Sequence, residues 1–309
     1  MEYCTFSEPQ QGFSYDEQLA FALATERAGF DGFFRSDHYM RMGPGDPLPG
    51  PTDAWTTLAG LARETRRIRL GTLVSSATHR TPAVLAIQVA QVDDMSGGRI
   101  ELGLGTGWFE AEHRAYGIPF PAKRFGNLEE QLAVVTGLWS TPVGETFDFT
   151  GEHYTLSGAP ALPKPRQQRV PIIIGGGGPR RTPQLAARFA TEFNIGFRPE
   201  PEIAEAFARV RAACERIGRD PGTLKLSVAL STIAAPDERT LSRRAEATGR
   251  SLEQFRDGTN ICGDADEIIA KVDRLVALGA ERIYFQTVDM RDLEQTAYLG
   301  EAVLPGLPR

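Results

Sequence analysis

The chain has 309 residues, of which 41% are hydrophobic and 24% are charged, a composition that is typical of a folded globular protein and argues against a disordered or membrane protein. Its 34 basic and 40 acidic residues give a net charge of −6 without a long block of one sign, so we expect no nucleic-acid partner. This length fits one α/β barrel or two smaller domains.

Residues 1–12 have neither the basic nor the apolar region of a secretion signal, and nowhere do about 18 apolar residues run together. The three cysteines, Cys4, Cys214 and Cys262, form no CxxC pair, which argues against a disulfide framework and against a CxxC-type metal site. We therefore expect a cytoplasmic protein without a membrane partner.

Short apolar segments alternate with amphipathic ones along the chain. The segments predicted as strands are Tyr3–Phe6, Gly32–Arg35, Ile68–Val74, Ile100–Gly105, Val170–Ile174, Glu192–Ile195, Leu224–Leu230 and Arg282–Val288. Several of them are apolar throughout, which is typical of a parallel sheet that is buried on both faces. Eight strands separated by helices predict an α/β fold, a (β/α)8 TIM barrel in a single domain over residues 1–309, with an open doubly wound sheet as the alternative.

Helix boundaries are marked by capping and breaking residues. Ser14 with Glu17 forms a capping box, and Gly29 ends that helix. Thr81, followed by a proline, begins a helix that ends at Gly97. Two later helices carry apolar stripes. The first stripe consists of Ile203, Phe207, Val210 and Cys214. The second follows the N-cap Asp264 and consists of Ile268, Val272 and Leu275.

Two stretches interrupt the alternation of strands and helices. The first is the Gly- and Pro-rich segment Pro44–Asp53, and the second runs from about residue 144 to residue 169. Within the second, Thr146–Phe149 and His153–Leu156 flank a Thr-Gly-Glu turn, which predicts an inserted β-hairpin. Long loops in a compact fold usually carry function, so we expect these two to select the substrate.

A histidine and an acid, Asp37 and His38, directly follow the second predicted strand. Catalytic groups of a parallel barrel lie at the carboxyl ends of its strands, and an imidazole beside a carboxylate can carry a proton near neutral pH. His38 is therefore a candidate proton carrier, and Asp37 is a candidate for orienting its ring. A loop histidine beside an acid at a helix terminus is the structural alternative.

The fourth predicted strand ends in Gly103–Trp108, where alternate glycines let backbone approach a ligand closely. This segment is not a dinucleotide-binding fingerprint, because Trp108 occupies the place of the third glycine. Glu110, Glu112 and His113 follow, but they lack the HExxH spacing, so we expect no metal site.

A glycine loop follows the buried segment Ile172–Ile174. Gly175–Gly178 lead into a helix that begins near Thr182, with Arg180 and Arg181 close by. Such a loop directs backbone N–H groups and a helix N-terminus at an anion, which suits a phosphate. The Walker A lysine and the last Rossmann glycine are both missing, and a plain glycine-rich turn remains the alternative.

Taken together and in order, these segments resemble the bacterial-luciferase-like superfamily and, within it, the coenzyme F420-dependent oxidoreductases. The resemblance is carried by Glu26–Gly32, Ser36–His38, Ile68–Thr72, Asp93–Trp108 and Pro171–Gly178. It implies a (β/α)8 barrel with an insertion, which binds a flavin or deazaflavin across its C-terminal face.

The resemblance also implies which residues contact the cofactor. Asp37 and His38 are placed beside the ring, and Leu73 and Val74 form a non-prolyl cis peptide on which the ring rests. Thr106 and Gly107 lie along the ring or the ribityl chain. The phosphate is held by Gly175, Gly176, Gly177 and Gly178. His38 is placed nearest the reactive edge, and His38 and Asp37 are the expected catalytic residues.

Two positions depart from the sugar-phosphate dehydrogenase branch of this group. Trp108 stands where that branch has a glutamate, and Met42 stands where it has a tryptophan. We therefore expect an F420-dependent oxidoreductase that transfers hydride between F420 and a small organic substrate, reducing an activated C=C or C=N bond. An FMN-dependent luciferase-like monooxygenase and a non-catalytic flavin-binding barrel are the alternatives. Relatives of this kind are commonly homodimers.

Overall fold

The computed structural model describes residues 1–43 and 45–308. Its strands are β1 (Glu2–Ser7), β2 (Gly32–Arg35), β3 (Arg69–Thr72), β4 (Ser75–Ser76), β5 (Ile100–Gly105), β6 (Phe147–Thr150), β7 (Thr155–Ala159), β8 (Ile172–Gly175), β9 (Glu192–Gly196), β10 (Lys225–Ala234), β11 (Ile261–Gly263) and β12 (Arg282–Thr287). Its helices are α1 (Tyr15–Arg27), α2 (Ala54–Glu64), α3 (Pro82–Ser96), α4 (Glu110–Tyr116), α5 (Arg124–Ser140), α6 (Arg181–Phe189), α7 (Glu200–Arg216), α8 (Glu238–Ala247), α9 (Leu252–Phe255), α10 (Ala265–Ala277) and α11 (Leu293–Tyr298). Short 3-10 turns occupy Pro9–Gln11, Pro221–Thr223 and Leu304–Gly306, and a π turn occupies Leu299–Val303.

Eight of these strands close into a parallel barrel. Their order is β1, β2, β3, β5, β8, β9, β10 and β12, and β12 pairs again with β1. Cys4 of β1 lies opposite Gly32 on one side and Tyr284 on the other. The (β/α)8 prediction is confirmed, and the open sheet is wrong because each of these eight strands pairs with a neighbour on both of its edges, which leaves no edge strand among them.

Side chains of the strands alternate between two apolar regions, as the pleat of a strand requires. Residues that point into the barrel form a small central cluster, consisting of Cys4, Phe6, Phe34, Leu73, Ile173, Ala229 and Tyr284. Residues that point outward, such as Tyr3, Phe33 and Leu70, join the larger core beneath the surrounding helices. The interior is therefore packed with side chains, and ligands have access only at the ends of the strands.

The predicted helix signals are confirmed. Ser14 and Glu17 form the capping box of α1, Thr81 precedes α3 with a proline in its first turn, and Gly97 ends that helix in the left-handed conformation. Asp264 caps α10 in a second capping box. Within the described residues, no helix combines the length and the apolar character that crossing a membrane requires.

The structure changes some of the predicted boundaries. The strand predicted over Ile68–Val74 is shorter in the structure, where β3 ends at Thr72 before the cis peptide between Leu73 and Val74, and the separate short strand β4 follows at Ser75–Ser76. The hairpin is confirmed as β6 and β7, shifted by one to three residues towards the C-terminus. Strand β11, which the sequence analysis missed, pairs with the end of β10. Pro44, the start of the first interrupting segment, lies outside the described residues.

Candidate active site

The predicted site residues meet at the carboxyl end of the barrel. Asp37 and His38 follow β2, Thr106 and Gly107 follow β5, and Gly175–Gly178 end β8. Asp37 is buried, whereas the side chain of His38 keeps 15% of its surface exposed. Of this pair, His38 is the side chain that a ligand at this face can reach.

The imidazole of His38 is held by Glu112, a residue of α4. His38 Nδ1 lies 3.1 Å from Glu112 Oε2, and Glu112 is fully buried. The other carboxylate oxygen, Oε1, accepts hydrogen bonds from the backbone N–H groups of Tyr39 and Met40. Burial opposes ionisation of this carboxyl, but its hydrogen bonds outweigh burial and hold the pKa of Glu112 below its usual range.

Asp37 has a different set of partners from the one predicted. Its Oδ2 accepts a 2.6 Å hydrogen bond from Ser75, and the guanidinium of Arg80 binds both of its carboxylate oxygens. Arg80 also donates to the Tyr39 hydroxyl and pairs with Asp53, the N-cap of α2. The hypothesis that Asp37 orients His38 is therefore wrong, because Asp37 is committed to Arg80 and the orienting carboxylate is Glu112.

The cis peptide between Leu73 and Val74, which the resemblance implies, is present. Val74 projects over a surface made by three glycines, because a Cβ atom on Gly103, Gly105 or Gly175 would come within 2.9–3.1 Å of the Val74 side chain. These glycines therefore make room for Val74, and Gly103 also makes room for the Thr72 carbonyl oxygen, which lies still closer to it. The alternating glycines of β5 were predicted to admit a ligand, but the structure shows that two of them admit a protein side chain.

The chain after β5 forms one wall beside His38. Thr106 is half-buried, and Gly107 has φ +77°, with its Cα facing the Ser76 hydroxyl. Trp108 is 65% exposed, and its ring centroid lies 6.0 Å from that of His38. Trp108 also stacks on Phe109 at 5.2 Å. An exposed, pre-stacked indole beside an imidazole provides an apolar surface for a planar ligand.

The glycine loop after β8 has one open position. Gly176 has φ +132°, and a Cβ atom on Gly178 would meet the Thr182 hydroxyl at 2.7 Å. A Cβ atom on Gly177 would meet nothing nearer than the Arg198 guanidinium, at 3.9 Å. Helix α6 begins directly after this loop without a side-chain cap, so its first N–H groups face the same region.

Arg198 was not predicted as a site residue, although it follows β9 in the same way that the glycines follow β8. The sequence pointed instead to Arg180 and Arg181, and the guanidinium of Arg181 turns away to Glu129 and packs over Phe125. Phe197, beside Arg198, is 47% exposed and has φ +56°, which is rare for a bulky residue and is typical of functional loops. The missed signal was a basic residue two positions after the end of β9.

Three side chains near Glu112 could offer ligand atoms to a metal: His79, Glu112 and His113 bring such atoms within 4.8 Å of one another. His113, however, donates from Nδ1 to the Phe109 carbonyl and accepts at Nε2 from Thr78. Both nitrogens of His113 are therefore engaged, and its Nε2 lone pair is already used. The arrangement is better described as a hydrogen-bonded cluster around Glu112.

The loops expected to select the substrate differ in position. Asp46 and Leu48, from the described part of the first loop, line a cleft with Glu8 and Arg291 near the carboxyl end of the barrel. The hairpin instead packs on α5, where Glu130 accepts hydrogen bonds from three consecutive backbone N–H groups of the β6–β7 turn. The first loop is the better placed of the two to contact a substrate.

Comparison with known proteins gives a family match over most of the chain. The family model described as luciferase-like monooxygenase matches residues 1–258. An F420-dependent glucose-6-phosphate dehydrogenase of Microbacterium testaceum is 27% identical over 98% of this chain and 96% of its own length. An FMNH2-dependent dimethylsulfone monooxygenase of Pseudomonas putida is 25% identical over 96% of this chain and 89% of its own.

Among solved structures, an F420-dependent secondary alcohol dehydrogenase in complex with an F420–acetone adduct superimposes with a TM-score of 0.87. The similarity covers 100% of this chain and 99% of that one, at 18% sequence identity. It supports the barrel fold over the whole length of the chain.

Proposed function

The chain belongs to the luciferase-like monooxygenase family, and we propose that it is an F420-dependent oxidoreductase that transfers hydride between F420 and a small organic substrate. The observation that carries the proposal is the combination, on one face, of His38 with an open glycine loop. F420-dependent relatives that align over nearly the whole chain support the same cofactor. A homodimer, a cytoplasmic location and a single domain over residues 1–309 stay predictions of the sequence.

The residues at this face fit a phosphate-bearing deazaflavin. The open position at Gly177, the uncapped N-terminus of α6 and the Arg198 guanidinium together suit a phosphate group. Val74 and the exposed Trp108 provide apolar surfaces for a planar ring. When bound, F420 would supply the hydride at C5, while the protein provides position and a proton.

Within this proposal, His38 donates the proton that accompanies hydride addition. Its ring is partly exposed at the active face and is anchored through Nδ1, which leaves Nε2 as the nitrogen for proton transfer. Trp108 stands where the sugar-phosphate dehydrogenase branch has a glutamate, so this position offers no carboxyl to an alcohol substrate. We therefore propose reduction of an activated C=C or C=N bond as the reaction.

The cofactor is tested by titrating the purified protein with F420 and FMN in parallel. We expect F420 to bind with micromolar or better affinity and FMN to bind at least about tenfold more weakly, a difference of about 1.4 kcal/mol. Tightly held FMN together with no response to F420 would favour the FMN-dependent monooxygenase instead. An FMNH2-dependent relative makes that the second candidate.

The phosphate site is tested by Gly177→Val. The new side chain would enter open space beside Arg198 without a forced backbone conformation, so the protein should fold while the phosphate loses its close approach. We expect the dissociation constant for F420 to rise at least about tenfold. A deazaflavin analogue without phosphate should bind equally well to both proteins.

Gly222→Val is the matched control for this substitution. The backbone of Gly222 is also outside the left-handed region, and a Cβ atom on Gly222 would meet nothing closer than 3.4 Å. This residue lies in the turn before β10, at the amino end of the barrel. Unchanged F420 affinity in Gly177→Val would show that Gly175–Gly178 is a plain turn. Gly176→Val is a poorer test, because φ +132° strains any residue with a side chain.

A further inference from the structure

A buried carboxylate, Glu112, lies between two imidazoles behind the active face. We propose that Glu112 is the positioning residue of His38, which fixes a ring proton on Nδ1 and so leaves Nε2 as the nitrogen that delivers the proton. This inference rests on the proposed function, since it assigns a partner to the proton donor of that reaction. Its structural half, the pairing of His38 with Glu112, can be tested without any cofactor.

The position of Glu112 is fixed from two sides. Its Oε1 accepts the backbone N–H groups of Tyr39 and Met40, the two residues that directly follow His38. Its Oε2 remains for the His38 ring, 3.1 Å from Nδ1. The carboxylate therefore binds the loop and the ring of the same segment at once, so the ring cannot turn without losing this contact.

The charge of Glu112 fixes the tautomer of His38. The Glu112 carboxyl is ionised at neutral pH, because its hydrogen bonds outweigh the effect of burial. A carboxylate accepts hydrogen bonds but cannot donate one, so the neutral form of the His38 ring keeps its proton on Nδ1, where it faces Glu112.

One carboxyl and two aromatic rings also face His38 from neighbouring elements. Glu8, after β1, is close enough for the charge of His38 to act on it, while burial raises the pKa of this Glu8 carboxyl. Trp108 and Phe109, after β5, contribute uncharged rings at 6.0 and 6.2 Å. Glu112 is thus the carboxylate that is hydrogen-bonded to the ring and held in its charged form.

The second imidazole, His79, closes the inner side of the carboxylate. Its side chain is fully buried, and its Nε2 lies 3.3 Å from Glu112 Oε2. Neither of its ring nitrogens makes a well-aligned hydrogen bond among the described residues. Its ring lies between those of Tyr39 and His113, with centroids 5.0 and 5.2 Å away. These rings keep water from the carboxylate, which strengthens its effect on His38.

Proton transfer to the substrate takes place at Nε2 of His38. The N–H bond at Nε2 of the His38 imidazolium breaks, and its electron pair stays on the ring nitrogen. The proton joins the substrate atom that becomes electron-rich when hydride adds to the other end of the C=C or C=N bond. His38 is left neutral with its remaining proton on Nδ1, facing Glu112, and solvent returns a proton to Nε2.

Nitrogen-15 NMR of the protein without cofactor tests the pairing. The chain has four histidines, so the His38 signals can be identified by their loss in His38→Ala. We expect neutral His38 to carry its proton on Nδ1 in the wild type. In Glu112→Gln the amide oxygen should keep the two backbone hydrogen bonds, so the amide NH2 faces the ring and moves the proton to Nε2. A wild-type His38 protonated on Nε2 would overturn the proposal, whether or not Glu112→Gln folds.

Single-turnover oxidation of reduced F420 tests the consequence for catalysis. In Glu112→Gln we expect the rate at saturating substrate to fall at least about tenfold, while affinity for F420 stays within about threefold. A purely structural role for Glu112 would lower the affinity for F420 and the free energy of unfolding together with the rate.

Glu110→Gln is the control, since Glu110 is exposed and lies two residues earlier on the same helix. It should match the wild type in rate. A wild-type rate in Glu112→Gln would overturn the positioning role. Failure of every protein to react with F420 would instead count against the proposed function, and the NMR measurement would still decide the pairing.

Discussion

Replacing His38 by alanine should lower turnover by roughly two orders of magnitude or more, because general acid catalysis is typically worth about 10²–10⁴-fold. Affinity for reduced F420 should stay within a few-fold of the wild-type value. The substitution changes neither the glycine loop proposed to hold the phosphate nor the apolar surface proposed to hold the ring. Hydride addition leaves an electron-rich centre on the substrate, and without His38 that centre must take its proton from water. The loss therefore falls on the chemical step rather than on binding.

The structure indicates that this substitution is tolerated by the fold. His38 is partly exposed, and its polar contact is with Glu112. After its removal Glu112 keeps the Tyr39 and Met40 N–H groups, so the buried carboxylate is not left unpaired. A small change in the free energy of unfolding together with a large change in rate is the expected signature.

Single-turnover oxidation of reduced F420 at saturating substrate measures this effect. His38→Asn should recover part of the rate if the ring mainly donates a hydrogen bond, because an amide can donate but cannot give up its proton. His153→Ala is the control, since His153 lies in the β6–β7 turn beside Gly126 of α5. A normal rate in His38→Ala would remove this residue from the mechanism. Equal losses of stability and affinity, at an unchanged rate per bound cofactor, would make it structural.

The barrel could be predicted from the sequence because its signals are local. Apolar runs such as Ile172–Ile174 mark strands buried on both faces, and the Ser14–Glu17 capping box marks a helix start within four residues. The location of His38 at the active face followed from the same logic, since it needs only the end of a strand and the rule for parallel barrels.

The partner of His38 could not be predicted in this way. Asp37 is its neighbour in sequence, but consecutive residues at the end of a strand point in different directions, and Asp37 turns to Arg80. Glu112 lies 74 positions from His38, and only the closed barrel brings α4 over the loop after β2. Similarly, Gly103 and Gly105 have the same composition as a ligand-binding loop, yet they accommodate Val74.

A second large effect is expected at the opposite end of the barrel. Replacing Arg282 by methionine should lower the free energy of unfolding by about 3–5 kcal/mol, the usual cost of removing one partner of a buried ion pair. Arg282 begins β12 and is 2% exposed. It lies 2.6 Å from Glu101, 2.7 Å from Glu192, and also pairs with Glu2. The substitution leaves Glu101 and Glu192 buried with their shared cation removed.

Arg209→Met is the control for this experiment. Arg209 is half-buried on α7 and pairs with the exposed Glu205 at 3.2 Å, so its removal should change stability by no more than about 0.5 kcal/mol. Glu192→Gln, added to Arg282→Met, should recover part of the lost stability, because it removes one unpaired charge. F420 affinity of the folded variants should be unaffected, since the amino end of the barrel lies opposite the active face.

The pH dependence separates a charge effect from a packing defect. Burial opposes ionisation of Glu101, but the charge of Arg282 outweighs it and lowers the pKa of Glu101 to about 2, from a usual 4.5. A carboxyl whose pKa is lowered by folding stabilises the fold above about pH 4.5, and this contribution is lost as the pH falls towards 2. Without Arg282, Glu101 keeps Arg69 as its cation, whereas burial, which already raises the pKa of Glu192, favours the protonated form of Glu192. The variant should therefore become relatively more stable on acidification. Denaturant unfolding at about pH 7 and about pH 4 should therefore show the gap between wild type and variant narrowing at the lower pH, whereas a constant gap would indicate lost packing.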